Sequence, residues 1–302
     1  MFTHKTLPLS ELVAGHDVDV VRDRDIAYVC KIPNPLEERL VACGNSKHIK
    51  EALALNGIAA IITTPELAED VPPTFGLAVC SAPYLTSLYI YEELAQKDNF
   101  LWHSFPSRIS DEAIIHPSAF IDERDVIIGK GTVVQPGAII RERSIIGENC
   151  VIGAGTVIGA GSFQIFKNAD RQRIIAQAGG VRLGDRVELQ SNCSVSRAVF
   201  GGFTEIGDET LIDNQVHVSH DCIIGRKVVI THCVSLAGRI VLEDGVYVGP
   251  NATISNGLTI EEEAQITIGS TVLRNVEAGL KVTGYGAQPH KAWKAQQIRD
   301  KR

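Results

Sequence analysis

The sequence predicts a mainly β protein, a parallel β-helix preceded by a small α/β domain. Its clearest signal is an aliphatic residue that returns every six positions, with a small residue four positions after each one. A six-residue unit cannot bury its own aliphatic side chain, so such units stack as short parallel strands around one narrow core. Three units, about 18 residues, close one triangular coil. The most regular run of aliphatic positions is Ile128, Val134, Ile140, Ile146, Ile152 and Ile158.

The six-residue period also divides the chain. Residues 1–100 lack it, and we expect a small α/β domain there, with helices over SKHIKEALALNG and APYLTSLYIYEELAQ and strands over GIAAIITT and GLAVC. We expect a linker over residues 101–114 and the β-helix, with about nine coils, over residues 115–287. Residues 288–302 have helical composition and a net positive charge, which predicts a short helix after the last coil.

Glycine directly follows the aliphatic residue in many units, as at Gly129, Gly147 and Gly225. Because glycine takes positive φ without steric cost, we expect these residues to turn the corners of the coil. The period breaks over residues 164–181 and again over residues 201–203. We expect the first, charged interruption to leave the coil as a loop. Function in repeat proteins concentrates where such inserts project, so we expect a site near them.

Composition and charge exclude several classes of protein. The 302 residues are 44% hydrophobic and 22% charged, as in an ordinary globular protein. A net charge of −7 and a pI near 5.7 argue against a general nucleic-acid binder. No apolar run approaches the roughly 20 residues of a membrane span, and the N-terminus lacks the apolar core of a signal peptide, so we expect a cytoplasmic protein.

The seven cysteines show no CxxC pair and no zinc-like spacing. Cys150, Cys193 and Cys222 fall at the small inward position of the six-residue unit. We therefore expect reduced thiols that fill the core, and assign neither disulfides nor a metal site.

His220 is the strongest candidate for chemistry. It lies at an exposed corner of the predicted coil, where an imidazole can take a proton from an attacking amine or hydroxyl at neutral pH. Asp213 and the adjacent Asp221 are alternative carboxylates that would hold its ring. A solvated turn histidine is the competing interpretation. His217 and His232 are further candidates, although His232 shows no obvious carboxylate partner.

The region around His220 resembles a known family. The segment QAGGVRLGDRVELQSNCSVSRAVFGGFTEIGDETLIDNQVHVSHDCIIG is similar to the central part of the UDP-3-O-acylglucosamine N-acyltransferases of lipid A biosynthesis. That family's LDNQV-x-I-A-H-N element is represented here by IDNQVHVSHDC. GSFQIF resembles its DGFGF loop entry, GAQPHKAWK its closing QPNK-x-W, and NSKHIKEAL part of its small nucleotide-binding domain. The resemblance thus extends over almost the whole chain.

The resemblance implies a left-handed parallel β-helix that assembles as a homotrimer, with active sites between subunits. It implies that the amine of a nucleotide-linked amino sugar attacks an acyl thioester carried by acyl carrier protein or CoA, without any further cofactor. In this reaction His220 matches the catalytic base and Asp213 the acid that orients it. A backbone N–H near Gly238, one coil further on, would bind the tetrahedral oxyanion.

The same resemblance implies two sets of binding residues. Asn45, Ser46 and His48 would bind the nucleotide, with His48 in place of the aromatic residue that stacks on uracil in the family. The substrate contacts would come from Phe163, Phe166, Asn214 and Gln215. We also expect the apolar start of the first interruption to pack on the coil and its charged part to cover the substrate, a solvated loop being the alternative.

Two other functions remain open on the sequence. SHDCIIG also resembles the HDC-x-IG element of bacterial sugar N-acetyltransferases that use acetyl-CoA, in which a carboxylate follows the histidine directly. A non-catalytic, sugar-binding β-helix is the second alternative. It is favoured by Gly257, which stands where the family has a second active-site histidine.

Overall fold

The computed structural model describes residues 4–31, 34, 36–97, 99–168 and 172–284. These residues form a small α/β domain followed by a left-handed parallel β-helix, which confirms the predicted fold class. The helix expected over residues 288–302 lies outside the described residues. None of the helices in the described ranges is long and apolar enough to cross a membrane.

The N-terminal domain is built on a five-stranded sheet, which is parallel except at one edge. Both helices and both strands expected from the sequence are present; the other strands, of two to four residues each, are too short to show a period. The sheet order is Asp19–Arg22, Gly76–Val79, Ile58–Thr63, Arg39–Ala42 and Tyr28–Val29, with Asp19–Arg22 antiparallel. The helices are α1 (Leu9–Leu12), α2 (Ser46–Leu53), a 3₁₀ helix (Pro65–Asp70) and α3 (Pro83–Gln96), and Leu7–Pro8 pairs with Asp25–Ile26.

The β-helix has three flat faces, each a parallel sheet whose strands come from successive coils. The first face contains Arg108–Ile109, Val126–Ile128, Ser144–Ile146, Gly180–Leu183, Phe203–Ile206, Ile223–Ile224, Val241–Leu242 and Thr259–Ile260. The second contains Ile114–Ile115, Val133–Val134, Val151–Ile152, Glu188–Leu189, Leu211–Ile212, Val229–Ile230, Tyr247–Val248, Gln265–Ile266 and Lys281–Val282. The third contains Phe120–Ile121, Ile139–Ile140, Val157–Ala160, Ser194–Ser196, His217–Val218, Ser235–Leu236, Thr253–Ile254 and Thr271–Val272.

The coil begins earlier than the sequence predicts. Its first strand, Arg108–Ile109, pairs with Val126–Ile128 inside the stretch expected to be a linker. Ile109 lies one six-residue unit before Ile115, but its strand ends the stack and its side chain stays 42% exposed. The first part of the expected linker also packs, since Leu101, Trp102 and Phe105 are buried. The described residues contain eight complete coils and one further strand, close to the nine expected.

Of the glycines that follow the aliphatic positions, Gly129, Gly147 and Gly225 do not have the predicted positive φ, whereas Gly159 does, with φ 78°. Left-handed backbone instead occurs three residues after the aliphatic residue, at Gly131, Asn149 and Asp221 among others. A Cβ at Gly129 would lie 2.5 Å from the carbonyl oxygen of Gly147 in the next coil. These glycines are therefore needed because successive coils approach closely, not because the chain turns there.

The core of the β-helix consists of the inward aliphatic and small residues. Cys150, Cys193 and Cys222 are at most 2% exposed within it, which confirms their expected role as core residues. All three are free thiols, and burial raises the pKa of Cys222 to about 12. Such thiols are poor nucleophiles at neutral pH.

Two inserts interrupt the coil on the side of the N-terminal domain. The first insert, residues 161–179, leaves the coil as predicted, but Ile165–Lys167 and Gln172–Ile174 form an antiparallel hairpin rather than a loop. Arg173 of this hairpin forms an ion pair with Glu92 of α3. The second insert, residues 197–202, places Val199 and Phe200 in the core of the N-terminal domain.

The hydroxyl of Tyr91 on α3 connects both inserts. It lies 2.9 Å from the carbonyl oxygen of Ala176 and accepts a hydrogen bond from the amide of Ala178 at 3.1 Å. It also donates to the carbonyl oxygen of Val199. Because Tyr91 is fully buried, these contacts fix the N-terminal domain on the coil and so position the surfaces between them.

Candidate active site

His220 and Asp221 form a hydrogen-bonded pair, which we call the dyad. Nδ1 of His220 lies 2.7 Å from Oδ2 of Asp221. Asp221 has left-handed backbone, as aspartate tolerates at a corner, and its Oδ1 accepts a hydrogen bond from the amide of Val199 at 3.1 Å. Its own amide donates to Oγ1 of Thr204 at 2.9 Å. The second insert thus holds the carboxylate that holds the histidine.

The dyad is buried rather than exposed. His220 is 8% and Asp221 7% accessible, so the expectation of an exposed corner is wrong. The reason is tertiary, because Val199 of the second insert lies against Asp221 and the next coil lies against the histidine ring. Burial strengthens the hydrogen bond between the two side chains, because water competes with it less.

The geometry defines which imidazole nitrogen can act. A carboxylate only accepts hydrogen bonds, so the neutral ring carries its proton on Nδ1 and leaves Nε2 as the free base. A Cβ on Gly238 would lie 2.7 Å from Nε2 and 2.6 Å from Cε1, so only glycine fits beside the ring. Within the described part of the chain, the Gly238 amide donates no hydrogen bond. The predicted oxyanion donor therefore lies beside the predicted base.

Asp213 does not contact His220 in this chain, so its predicted orienting role is wrong within one subunit. Its Oδ1 accepts hydrogen bonds from both nitrogens of Asn214 at 2.7 Å. Its Oδ2 lies 3.6 Å from Nδ1 of His232, which therefore does have a carboxylate partner. Hydrogen bonds from Asn214, with a smaller contribution from His232, lower the pKa of Asp213. A six-residue unit spans one face, so seven residues place the two side chains at opposite edges of the third face.

The other two predicted substrate contacts of this motif lie at the same corner as Asp213. Oδ1 of Asn214 accepts a hydrogen bond from the Ser191 amide at 3.1 Å, and Oε1 of Gln215 lies 3.3 Å from Sγ of Cys233. These contacts join successive coils. The structure thus separates Asn214 and Gln215 from the dyad by the width of the third face.

His217 lies on the outer surface of the third face, three residues before His220. Its side chain is exposed, and partial desolvation by neighbouring residues, together with the nearby charge of His220, lowers the pKa of His217. The structure therefore places it close to the dyad, whereas His232 belongs to the other corner.

A cleft of about 400 Å³ opens between the N-terminal domain and the second insert. Its lining includes Cys30, Lys31, His48, Tyr84 and Phe200. It lies next to the dyad, because Phe200 of its lining directly follows Val199, whose amide donates to Asp221. Burial raises the pKa of Cys30 in the cleft to about 12, and the charge of Asp221 adds to this shift. A mostly apolar pocket with a few polar groups is typical of a small-molecule site.

Of the three predicted nucleotide-binding residues, only His48 lines this cleft. Its ring packs edge-on against Tyr84, with ring centroids 6.0 Å apart. Asn45 instead caps α2 by accepting a hydrogen bond from the His48 amide at 2.8 Å, and Ser46 donates to Asp70 at 2.7 Å. Both residues therefore support the loop and helix that position His48.

Neither predicted substrate contact of the first insert reaches the cleft. Phe163 is 76% exposed, and Phe166 is completely buried against Tyr89 of α3, with ring centroids 5.3 Å apart. Nothing in the sequence pattern singles out the lining residues Lys31, Tyr84 and Phe200. They come from segments without a period, and only the docking of the two domains brings them together.

Comparison with known proteins supports the same family. The profile of the bacterial transferase hexapeptide (six repeats) matches residues 125–160. A stretch of 49 residues is 51% identical to UDP-3-O-acylglucosamine N-acyltransferase of Shewanella denitrificans, covering 16% of this chain and 14% of that protein. A stretch of 48 residues is 46% identical to the protein of the same name from Neisseria gonorrhoeae, again covering 16% and 14%. The match thus spans only about a seventh of the length of these relatives.

A solved structure shares the fold. The UDP-N-acetylglucosamine acyltransferase of Francisella novicida aligns with a TM-score of 0.54 and 22% identity, covering 64% of this chain and 75% of that one. At this level of identity the likeness concerns the fold alone. The hexapeptide-repeat profile and the matched stretch agree with the resemblance identified from the sequence, and over about 49 residues this chain is similar to the UDP-3-O-acylglucosamine N-acyltransferases.

Proposed function

We propose that this protein is an acyltransferase that moves an acyl group from a thioester to the amine of a nucleotide-linked amino sugar. The observation that carries the proposal is the buried dyad, with Nδ1 of His220 2.7 Å from Asp221, beside a cleft of about 400 Å³. The names of the matched relatives support both the reaction and the nucleotide sugar.

In the proposed mechanism His220 is the general base. The nitrogen lone pair of the amine attacks the thioester carbonyl carbon, and Nε2 of His220 takes the proton that the nitrogen loses. Asp221 stabilises the imidazolium that forms. The negative charge on the carbonyl oxygen is met by the free N–H of Gly238, and collapse of the intermediate breaks the C–S bond. His220 then returns its proton to the leaving sulfur, which departs as a thiol.

One observation favours a smaller acyl donor as a second candidate. The carboxylate that holds His220 is the next residue, Asp221, as in the HDC-x-IG element of the acetyl-CoA-dependent sugar N-acetyltransferases. The reaction is the same, with CoA in place of acyl carrier protein as the thiol carrier.

We further propose that the protein acts as a homotrimer. The support is a row of outward apolar side chains along the second face, including Ile114, Leu211 and Tyr247, which are 64%, 45% and 40% exposed. Exposed apolar rows of this kind mark surfaces that bind another protein, and the flat faces of a coil suit cyclic assembly.

Release of free thiol tests the function. The full-length protein is mixed with UDP- or dTDP-linked amino sugars and with acetyl-CoA, a longer acyl-CoA or acyl carrier protein thioester. We expect amine-dependent thiol release, lowered by about two to four decades in His220→Asn. Binding of the sugar nucleotide without thiol release from any donor would instead support the non-catalytic alternative.

A further inference from the structure

Two cations lie near the dyad without an anionic partner. Lys31 belongs to the N-terminal domain and lines the cleft, whereas Arg239 belongs to the coil and follows Gly238, which contacts the His220 ring. Among the described residues, no carboxylate forms an ion pair with either of them. Nε of Arg239 is buried without a hydrogen-bond partner.

The positive charge of each cation also disfavours the charged state of the other. Lys31 remains exposed to solvent, and its pKa is lowered first by partial desolvation and then by the positive charge of Arg239. The nearby carboxylates are engaged elsewhere: Asp221 holds His220 and accepts from Val199, and Glu51 of the cleft lies 3.7 Å from Lys47. Two unpaired like charges brought together by the docking of two domains lower stability unless an anion binds between them.

Resting on the proposed function, we infer that Lys31 and Arg239 form a binding site for a diphosphate between the cleft and the dyad. The position suits this ligand, because His48 and Tyr84 line the same cleft and the dyad lies beside it. A diphosphate held there joins a ring bound at the aromatic residues to a group presented to His220. Two cations match its charge, and an arginine can contact two of its oxygens at once.

Nucleotide sugars and coenzyme A both contain a diphosphate, so the test separates the two. Affinities of the full-length protein are measured by calorimetry for UDP, uridine, inorganic pyrophosphate and coenzyme A. Lys31→Gln and Arg239→Gln should each weaken pyrophosphate binding about tenfold. If the nucleotide sugar is the ligand, the two variants weaken UDP binding as much as pyrophosphate binding, whereas their affinity for uridine stays within about twofold of the parent. If the thioester donor is the ligand, the two variants weaken coenzyme A binding as much as pyrophosphate binding, whereas their affinity for UDP is unchanged.

The matched controls are Lys227→Gln and Arg226→Gln, two exposed cations at another corner of the coil, where Arg226 pairs with Asp244 at 2.7 Å. They should leave every affinity within about twofold of the parent. Because Lys31 and Arg239 repel each other, their variants should have an unchanged or slightly higher Tm, whereas a structural role requires a lower one.

Unchanged pyrophosphate affinity in both variants would overturn the inference, as would an equal loss of UDP and uridine binding. The outcome is independent of turnover. His220→Asn should bind pyrophosphate like the parent, so a failure to detect acyl transfer would count against the proposed reaction alone.

Discussion

At the scale of single residues, the position of the carboxylate decides the tautomer and the orientation of the His220 ring. Asp221 contacts His220 directly, whereas Asp213 contacts His232 at another corner. Asp221→Asn should lower kcat by about two to four decades, because an amide can donate to Nδ1 and so favour the wrong tautomer. Asp213→Asn should change kcat less than about threefold if each subunit contains its own dyad. Steady-state kinetics with both variants check this.

The comparison also tests the predicted site between subunits. A loss in Asp213→Asn equal to that in Asp221→Asn would show that Asp213 reaches a neighbouring subunit's His220. KM should change little in either variant, because neither carboxylate lines the cleft.

His217 gives a pH-dependent contribution to stability. Partial desolvation and the charge of His220 lower its pKa, so below about pH 6.5 the unfolded chain binds a proton more readily than folded His217 does. The free energy of unfolding therefore decreases as the pH falls below about 6.5, whereas at higher pH His217 is neutral in both states and makes no such contribution. His217→Gln should reduce this decrease. Urea unfolding between pH 7 and 5 measures it, with exposed His116→Gln as the control; identical pH slopes for parent and His217→Gln would contradict the prediction.

At the scale of elements, the hairpin of the first insert holds the N-terminal domain on the coil. Phe166 is fully buried against α3, so Phe166→Ala should lower the free energy of unfolding by about 3–5 kcal/mol while kcat stays near that of the parent. The matched control is Phe163→Ala, which removes a 76% exposed ring and should change stability by less than about 0.5 kcal/mol. Denaturant unfolding and initial rates test the pair.

A raised KM in Phe163→Ala would contradict this account, because it would return the start of the first insert to the substrate site. The family resemblance assigned both phenylalanines to substrate. The structure shows instead that one of them belongs to the core shared by the two domains.

At the scale of the whole molecule, the second face is the expected trimer surface. Leu211→Glu places a charge in the middle of its apolar row and should convert the trimer to monomers, because an unpaired charge is costly to bury. Thr253→Glu, at an outward position of the third face between the outward Ser235 and Thr271, should leave the trimer intact. Sedimentation at micromolar concentration measures both. A parent protein with monomeric mass would rule out any site between subunits.

The sequence by itself determined the coil. The six-residue period requires stacked strands with an inward aliphatic row, and the structure confirms this row together with the buried cysteines within it. The period also placed His220 at a corner with a carboxylate beside it. It could not show that the glycines serve the close approach of coils, since that approach is a contact between residues about 18 positions apart.

Only the tertiary structure decided how the site is assembled. Periodicity assigns residues to faces, but it does not say which corner the N-terminal domain covers or where an insert packs. That docking buries the dyad, places the amide of Val199 on Asp221, and forms a cleft between Lys31 of the N-terminal domain and Phe200 of the second insert. The physical reason is that these contacts join segments far apart in the chain, whose positions depend on one shared core of α3 and the two inserts.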